Sequence, residues 1–404
     1  MHKFYIHTHN EEQMKYVLEE LWKADIIDED IDNKYKRIYD ITDKDLKKDY
    51  EWLIGFNHNE MNYQSPKVVL QFKDVKEVEK IFEVLNIKKE RNSYCWFPHK
   101  PIKEFKYVKG NVEHKYPIFI ISKGRYRKRV GNGYRYEPPK TAKYLEFCNI
   151  DYKIVVEKQE YDEYAKSINK DKIMILPDEY MNLDQGSIPV RNFVHHHNLR
   201  EGNYAYWLLD DNIKSFIFNN NDERYMITDG FMFAVNENIL NNYDNLYLTG
   251  HQYKMFVVPR QNTTKIVSTH TRVYSSILIR TDIPVLNEQK DIWRGKYNED
   301  TDLSLRILKL GLPTLITNNI VADKEETGGT GGNHQIYQED NNASGVLKTQ
   351  ALLEHHSDVV DVIKNYNRTH HKIKNSFIYK CRAEIPLIKS EFFEVKEYDL
   401  EYYN

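Results

Sequence analysis

The sequence predicts an α/β protein: a doubly wound, mainly parallel sheet preceded by a small α+β domain. Three observations carry this reading. From Tyr116 onward, short apolar runs alternate with segments of helical apolar spacing, the order that builds parallel sheets. The first hundred residues hold strand-like and helix-like segments of their own. Between the two lies "KPIKEFKYVKGNVEHKY", residues 100–116, which is basic, turn-rich and reads as a linker. The expected organisation is an accessory α+β domain over 1–108, a main domain over 116–340 and a helical or tail extension over 341–404.

In the first part, "HKFYIHT" reads as a strand. "NEEQMKYVLEELWKADI" reads as a helix, with Met14, Val17, Leu18 and Leu21 on one face. "KVVLQF" and "SYCWFP" are strands around the helix "DVKEVEKIFEVLNI". Adding "EWLIGF" gives β-α-β-β-α-β, compatible with a ferredoxin-like sandwich. In the second part, "YPIFIIS", "DYKIVVE", "DKIMILP" and "YAYWLLD" are strands. "KTAKYLEFCNI", "EYDEYAKSI" and "IPVRNFVHHHNLREG" are the helices between them. Further on, "TDGFMFAVNENIL" and "YSSILIRTDI" read as strand-turn pieces. "NEDTDLSLRILKLGL" and "ALLEHHSDVVDVIKNYN" read as helices.

Composition narrows the class without naming it. Lys plus Arg number 58 and Asp plus Glu 61, so the balance neither demands nor excludes a polyanionic partner. Three widely spaced cysteines make no disulfide or metal framework, and a reducing cytoplasm is expected. No apolar run approaches the ~20 residues of a membrane span, so no membrane partner is expected.

Chemistry concentrates at the carboxyl ends of the expected strands, where ligands of open α/β sheets bind. "LLDDN" ends an apolar run in Asp210, Asp211 and Asn212. Adjacent carboxylates repel and lose hydration there, an arrangement that suits a hard divalent cation or, in the plainer reading, a solvated turn or helix cap. "ISKGRYRKRVGNGYRYEPPK" follows the first strand of the main domain. Ser122, Lys123, Gly124 and Arg125 open a loop of cations, tyrosines and glycines suited to phosphate or nucleic acid, or to plain solvation. Arg191 and Asn192 near a helix start are candidates to grip a nucleotide or sugar. The run His195 to His197 does not share a helix face and reads as a partly exposed helix surface. Glu299 and Asp300 open a helix, either as dipole-favoured first-turn acids or as a general base. "ETGGTGGNHQ" is a glycine loop carrying His334, a candidate third metal ligand. "NRTHHKIKNSF" gives Arg368, His370, His371, Lys372 and Lys374 a basic character suited to a DNA backbone or to a helix end.

As an ordered set, "IFIISKGR", "TAKYL", "DYKIVVEKQEYDEY", "ILP", "GSIPVRNFV", "YWLLDDNI" and "NEDTDLSLRIL" resemble the GT-A-fold glycosyltransferases of the TET/JBP-associated family. The resemblance covers roughly residues 116 to 340. It implies a GT-A-like fold and an inverting, metal-dependent transfer from a UDP-sugar to the hydroxyl of a 5-hydroxymethyl pyrimidine, hydroxymethylcytosine first, in double-stranded phage DNA. By that likeness Asp210 joins Ser122, Lys123, Gly124, Arg125, Arg191 and Asn192 at the donor. Asp211, Asn212 and His334 hold Mn²⁺ or Mg²⁺, and Asp300, with Glu299, supplies the base. Asn212 stands where many relatives have a third acid. UDP-glucose and UDP-arabinose both fit as donors, and the expected location is the cytoplasm of an infected host. Two other readings stay open: a glycosyltransferase with a non-DNA acceptor, and a non-catalytic nucleic-acid-binding protein with a decayed transferase domain. Oligomeric state is left open.

Overall fold

The computed structural model describes residues 2–8, 11–24, 67–72, 77–86, 94–97, 106–130, 133–220, 223–257, 266–325, 345–365, 368–385 and 398–403. The chain divides into two compact units, Met1–Glu104 and Phe105–Asn404.

In the first unit, β1 (His2–Thr8), α1 (Glu11–Lys23), β2 (Lys67–Phe72), α2 (Glu77–Val84) and β3 (Tyr94–Phe97) follow the expected order. The sheet runs β2-β1-β3, antiparallel then parallel. The order β2-β1-β3 places β1 centrally as a ferredoxin-like sandwich would, but such a sheet is antiparallel throughout, so the parallel β1–β3 pair departs from that expectation. The expected strand "EWLIGF" lies outside the described residues. Val17, Leu18 and Leu21 of α1 and Val78, Ile81 and Phe82 of α2 are buried, as their helical spacing requires.

The second unit opens with β4 (Tyr107–Lys109), β5 (Ile118–Ile121), β6 (Arg127–Val130), β7 (Gly133–Tyr136), α3 (Lys140–Phe147), β8 (Lys153–Glu157), α4 (Tyr161–Tyr164), β9 (Ile173–Leu176), α5 (Ile188–Arg200) and β10 (Ala205–Asp210). It continues with β11 (Ile213–Asn220), β12 (Glu223–Ile227), α6 (Phe231–Asn242), β13 (Leu248–Tyr253), β14 (Val267–Thr269), β15 (Ser276–Arg280), α7 (Glu299–Lys309) and β16 (Leu315–Lys324). The last elements are α8 (Val346–His356), β17 (Val360–Asn365), β18 (Arg368–Ile373), α9 (Asn375–Glu384) and β19 (Glu401–Tyr403). Among the described residues twelve strands form one sheet, β19-β4-β12-β11-β16-β13-β15-β10-β5-β8-β9, with β14 beside β16. The expected parallel alternation is β9-β8-β5-β10. Beyond β10 antiparallel and parallel pairs mix: β15 runs against both β10 and β13, and β13 runs with β16. This is an α/β architecture of GT-A type.

Alternation along β10 explains the double winding. Ala205, Trp207 and Leu209 join one core with Tyr144 and Leu145 of α3 and Met232 and Phe233 of α6. Tyr206 and Leu208 join the other with Phe193 and Val194 of α5 and Leu303 and Ile307 of α7. A strand buried on both faces has to be apolar throughout, and β10 is until it reaches Asp210.

Four further sequence expectations change. Residues 107–109 are not linker but β4, which pairs with β12 and with β19 at the chain's end. "FMFAVNENIL" is the helix α6, buried nearly all round. Its polar interruptions, Asn236 and Glu237, face partners instead of water: Asn236 meets Thr249 and Thr317, while Glu237 accepts from Trp207 Nε1 (2.8 Å) and the Lys115 amide (2.6 Å). That hides the helical period. "ALLEHHSDVVDVIKNYN" breaks after His356, where the β-branched run becomes β17. His195 is fully buried against the Tyr206 hydroxyl, not on a helix surface. Among the described residues no helix is long and apolar enough to cross a membrane.

One buried charge cluster fastens α7. Asp302 accepts from Arg306 one turn on (2.8 Å), from Arg294 (3.0 Å) and from His356 at the end of α8 (2.8 Å). Burial pushes its carboxyl up, but the His356 bond and the two guanidinium groups outweigh burial and hold it at about 2, below the ordinary 3.8. A depressed carboxyl contributes fully above its unfolded value and loses that contribution as pH falls toward the folded one. The shift corresponds to about 2 kcal/mol. Between about pH 5 and pH 2 wild type should therefore lose about that much more stability than Asp302→Asn, read from urea midpoints at each pH. A second expectation concerns β13. A Cβ on Gly250 would run into the Ser276 carbonyl and approach Val273 Cγ1 at 2.8 Å. Gly250→Ala should cost roughly 1–3 kcal/mol by the same measurement.

Candidate glycosyl-transfer site

The first part of the site is the turn that ends β10. Asp210, Asp211 and Asn212 are clamped by the first turn of α3. Thr141 donates its hydroxyl to the Asp210 carbonyl (2.6 Å) and accepts from the Ile213 amide (2.9 Å), while its own amide meets the Asp211 carbonyl (3.3 Å). The backbone of the two adjacent acids is therefore fixed before any ligand arrives.

The two carboxylates sit in different environments. Asp210 Oδ2 accepts from Lys324 Nζ at the end of β16 (2.7 Å) and from the Ser275 hydroxyl (2.6 Å). Its Oδ1 accepts from Arg191 (3.2 Å). Burial raises its carboxyl, but Lys324 and Arg191 dominate and hold it far below the ordinary carboxylate range. Lys324 also meets the Tyr253 hydroxyl and Ser275, and against the cost of burial Asp210 keeps its ammonium firmly charged. Asp211 has one cation, Arg125 (3.1 Å), and the Ser122 hydroxyl (2.6 Å). Burial wins there and pushes its carboxyl up to about 6. Beside it, among the described residues, Asn212 Oδ1 is a buried acceptor with no partner and Arg125 Nε a buried donor with none.

The basic loop after β5 divides its labour. Ser122 lies between Asp211 and the buried Tyr164 hydroxyl (2.7 Å), which also accepts from the Arg125 amide (3.2 Å). Lys123 turns outward to Glu157 (2.6 Å), and the Gly124 amide is taken by Glu160 (3.0 Å). Gly124 has a positive φ of 69°, the conformation glycine allows cheaply. Of the four expected donor residues here, Ser122 and Arg125 reach the acidic turn.

Arg191 joins this turn to the second acidic pair. It is 5% exposed, stacks on Trp293 at 4.9 Å and bridges Asp210 to Glu299 Oε1 (3.4 Å). Ser187 donates to the same Glu299 oxygen (2.9 Å). Burial, helped by neighbouring Asp300 and opposed by Arg191, raises the Glu299 carboxyl. Asn192 is spent on scaffolding: its amide group bonds reciprocally with the backbone of Trp293, at 3.0 Å in both directions. Asp300 Oδ1 accepts from the amide (2.6 Å) and hydroxyl of Thr301. The charge of Asp300 acts on Arg191, Arg272, Tyr274, Lys348 and His371.

Lys324, Ser275, Tyr253, Arg272 and Lys348 were not among the sequence candidates. Lys324 closes the strand "LITNNIVADK", whose apolar end "IVA" is followed by Asp323 and then this cation. His334 lies outside the described residues. Among the described residues no three His, Cys, Asp or Glu side chains group as a metal cluster. The basic segment "NRTHHKIKNSF" is divided by its fold: Arg368 to Ile373 form β18, paired with β17, and the rest opens α9. His370 is exposed. His371 is pushed down to about 4 by burial and by Arg272, and it lies in the field of Asp300. Lys372 stands opposite Asp361, and Lys374 caps the end of α8 through the Ser357 (3.1 Å) and Asp358 (2.9 Å) carbonyls. The Arg368 side chain is outside the described residues.

The arrangement is thus a strand-end acidic turn ringed by Arg125, Arg191 and Lys324, tied through Arg191 to a second acidic pair at a helix start. No curated protein matches the chain. Residues 116–333 match the family model described as TET-Associated Glycosyltransferase, and that stretch is more than half of the chain. It holds the acidic turn, its cations and the second acidic pair: the chain belongs to the TET-associated glycosyltransferase family and carries a glycosyltransferase domain.

Proposed function

We propose that this enzyme is an inverting transferase that moves a sugar from a UDP-sugar to the hydroxyl of a 5-hydroxymethyl pyrimidine, hydroxymethylcytosine first, in double-stranded phage DNA. The observation that supports it best is the Arg191 bridge, which contacts both Asp210 and Glu299. Such a bridge ties the turn that would bind the diphosphate to the helix start that carries the proton acceptor, Asp300 beside Glu299, and so limits their separation, as in-line displacement requires.

Arg125, Arg191 and Lys324 attract the donor diphosphate and stabilise the charge that builds on it as the glycosidic bond breaks. Asp211 and Asn212 would hold Mn²⁺ or Mg²⁺, with His334 as the third ligand. Their oxygens suit a hard cation, and the unpartnered Asn212 Oδ1 gives the site an acceptor to offer. When bound, the cation neutralises diphosphate charge. Asp300 Oδ1 is held by Thr301, which leaves Oδ2 to take the proton of the hydroxymethyl group. The freed oxygen attacks the anomeric carbon from the face opposite the diphosphate, the carbon–oxygen bond to UDP breaks, and the configuration inverts. UDP-glucose and UDP-arabinose are the donors of choice. The acceptor group projects into the major groove, where it can be reached without separating the strands.

The test is incubation with hydroxymethylcytosine DNA, Mn²⁺ and a panel of UDP-sugars, followed by mass spectrometry of the digested nucleosides. A hexose or pentose gain is expected. No gain with any donor or hydroxymethyl pyrimidine, while UDP-sugar hydrolysis persists, would move the acceptor away from DNA. Asp300→Asn should keep donor affinity within about twofold and lose roughly 10²–10⁴ in transfer. Lys324→Met removes a cation that Asp210 and the diphosphate share. Donor Kd should rise roughly tenfold or more by calorimetry, and transfer should fall with it.

A further inference from the structure

The hairpin β6–β7 is not used by the chemistry above, and its make-up is unusual for a solvated loop. Register sets Arg127 opposite Tyr136, Lys128 opposite Arg135 and Arg129 opposite Tyr134. One face therefore carries two arginines and two tyrosines, with Arg127 lying 4.3 Å over the Tyr134 ring. The other face carries Lys128 directly across from Arg135. Like charges in that position oppose the pairing they sit on. One carboxylate, Glu137, answers both: it pairs with Arg135 at 2.8 Å and is held below the ordinary range by that bond and by Lys128. All six side chains on the paired rungs are exposed, Tyr134 at 60%.

The stems of this hairpin are anchored in the site. On one side Arg125 is ion-paired with Asp211, and Tyr126 packs on the buried Tyr164 at 5.4 Å. The Glu137 amide closes the base on the Tyr126 carbonyl, and three residues later α3 begins with the turn that clamps Asp210 and Asp211. A cationic, aromatic ribbon thus projects from the carboxyl edge of the sheet with its root fixed to the acidic turn. Four residues per strand make it ~13 Å long, and a two-stranded ribbon fits a DNA major groove ~12 Å wide.

We infer that β6–β7 is a nucleic-acid docking ribbon, entering the groove of the acceptor duplex with Arg127, Lys128, Arg129 and Arg135 on phosphates and Tyr134 against the sugar-base edge. This inference rests on the DNA-acceptor reading and adds to it the surface that holds the duplex. Duplex binding by the full chain should be measured by fluorescence anisotropy on an unmodified duplex over a salt series, for wild type and for the variant with all four cations changed to alanine. Each lost phosphate contact flattens the plot of log affinity against log salt by about 0.9. The expected loss is about 2–4 in slope and at least tenfold in affinity at low salt, with acceptor-free UDP-sugar hydrolysis unchanged within about twofold. Preserved hydrolysis shows that the variant is folded. Tyr134→Ala should weaken binding while leaving the slope unchanged. If wild type binds duplex DNA and the fourfold variant binds equally well, the ribbon inference is overturned and the acceptor reading stands. If wild type neither binds nor glycosylates DNA but hydrolyses donor, the acceptor reading fails and the inference with it. Tighter binding to anionic lipid vesicles or to single-stranded RNA than to the duplex would also overturn it.

Discussion

Everything at the acidic turn follows from a short piece of chain. Only Asp211 and Asn212 separate β10 from β11, yet β15, β13 and β16 lie between those strands in the sheet. Four strand spacings amount to ~19 Å, whereas three Cα steps cover at most ~11 Å. A flat sheet cannot satisfy both. The sheet has to curl until the end of β10, the start of β11 and the end of β16 meet, and the register irregularities at Ile213/Ser215 and His251/Gln252 accommodate the bend. Curling brings Lys324, from the end of β16, onto Asp210, where the β10–β15 register already sets Ser275, and Tyr253 of β13 bonds to both of these partners.

The same geometry separates the roles of two adjacent, chemically identical residues. Asp210 is saturated by two cations and a hydroxyl, so it organises the cations around it. Asp211 has one cation and loses more to burial than it gains, so it retains a demand for positive charge that Asn212, with its idle carbonyl, shares. A strand end that looks like an electrostatic liability in isolation is therefore only half neutralised by the protein, and on the proposed reading the other half is met by the ligand.

Much of this was legible in sequence, and what was not has definite causes. The parallel strands β5, β8, β9 and β10 and the helices between them announce themselves because local apolar runs and local spacing determine them. Asp210, Asp211, Glu299 and Asp300 were legible because acids at strand and helix ends are conspicuous. Lys324, Ser275 and Tyr253 were not, since each is an ordinary residue until strand pairing and the curl assemble them across up to 114 positions. Helix α6 was hidden for a different reason: burial on all sides erases the amphipathic period. Asn192 and Lys374 show the converse, polar residues whose side chains are consumed by backbone groups a sequence cannot display.

The hairpin's two stems meet the acidic turn at independent points, one through Arg125 and one through the start of α3. A segment held so firmly at its root places few structural demands on its outer rungs, which are exposed and contribute little to either core. Its outer residues can thus change in composition while the acidic turn stays intact. On the docking reading proposed above, the β6–β7 ribbon is where acceptor preference can change without disturbing the residues around Asp210 and Asp211.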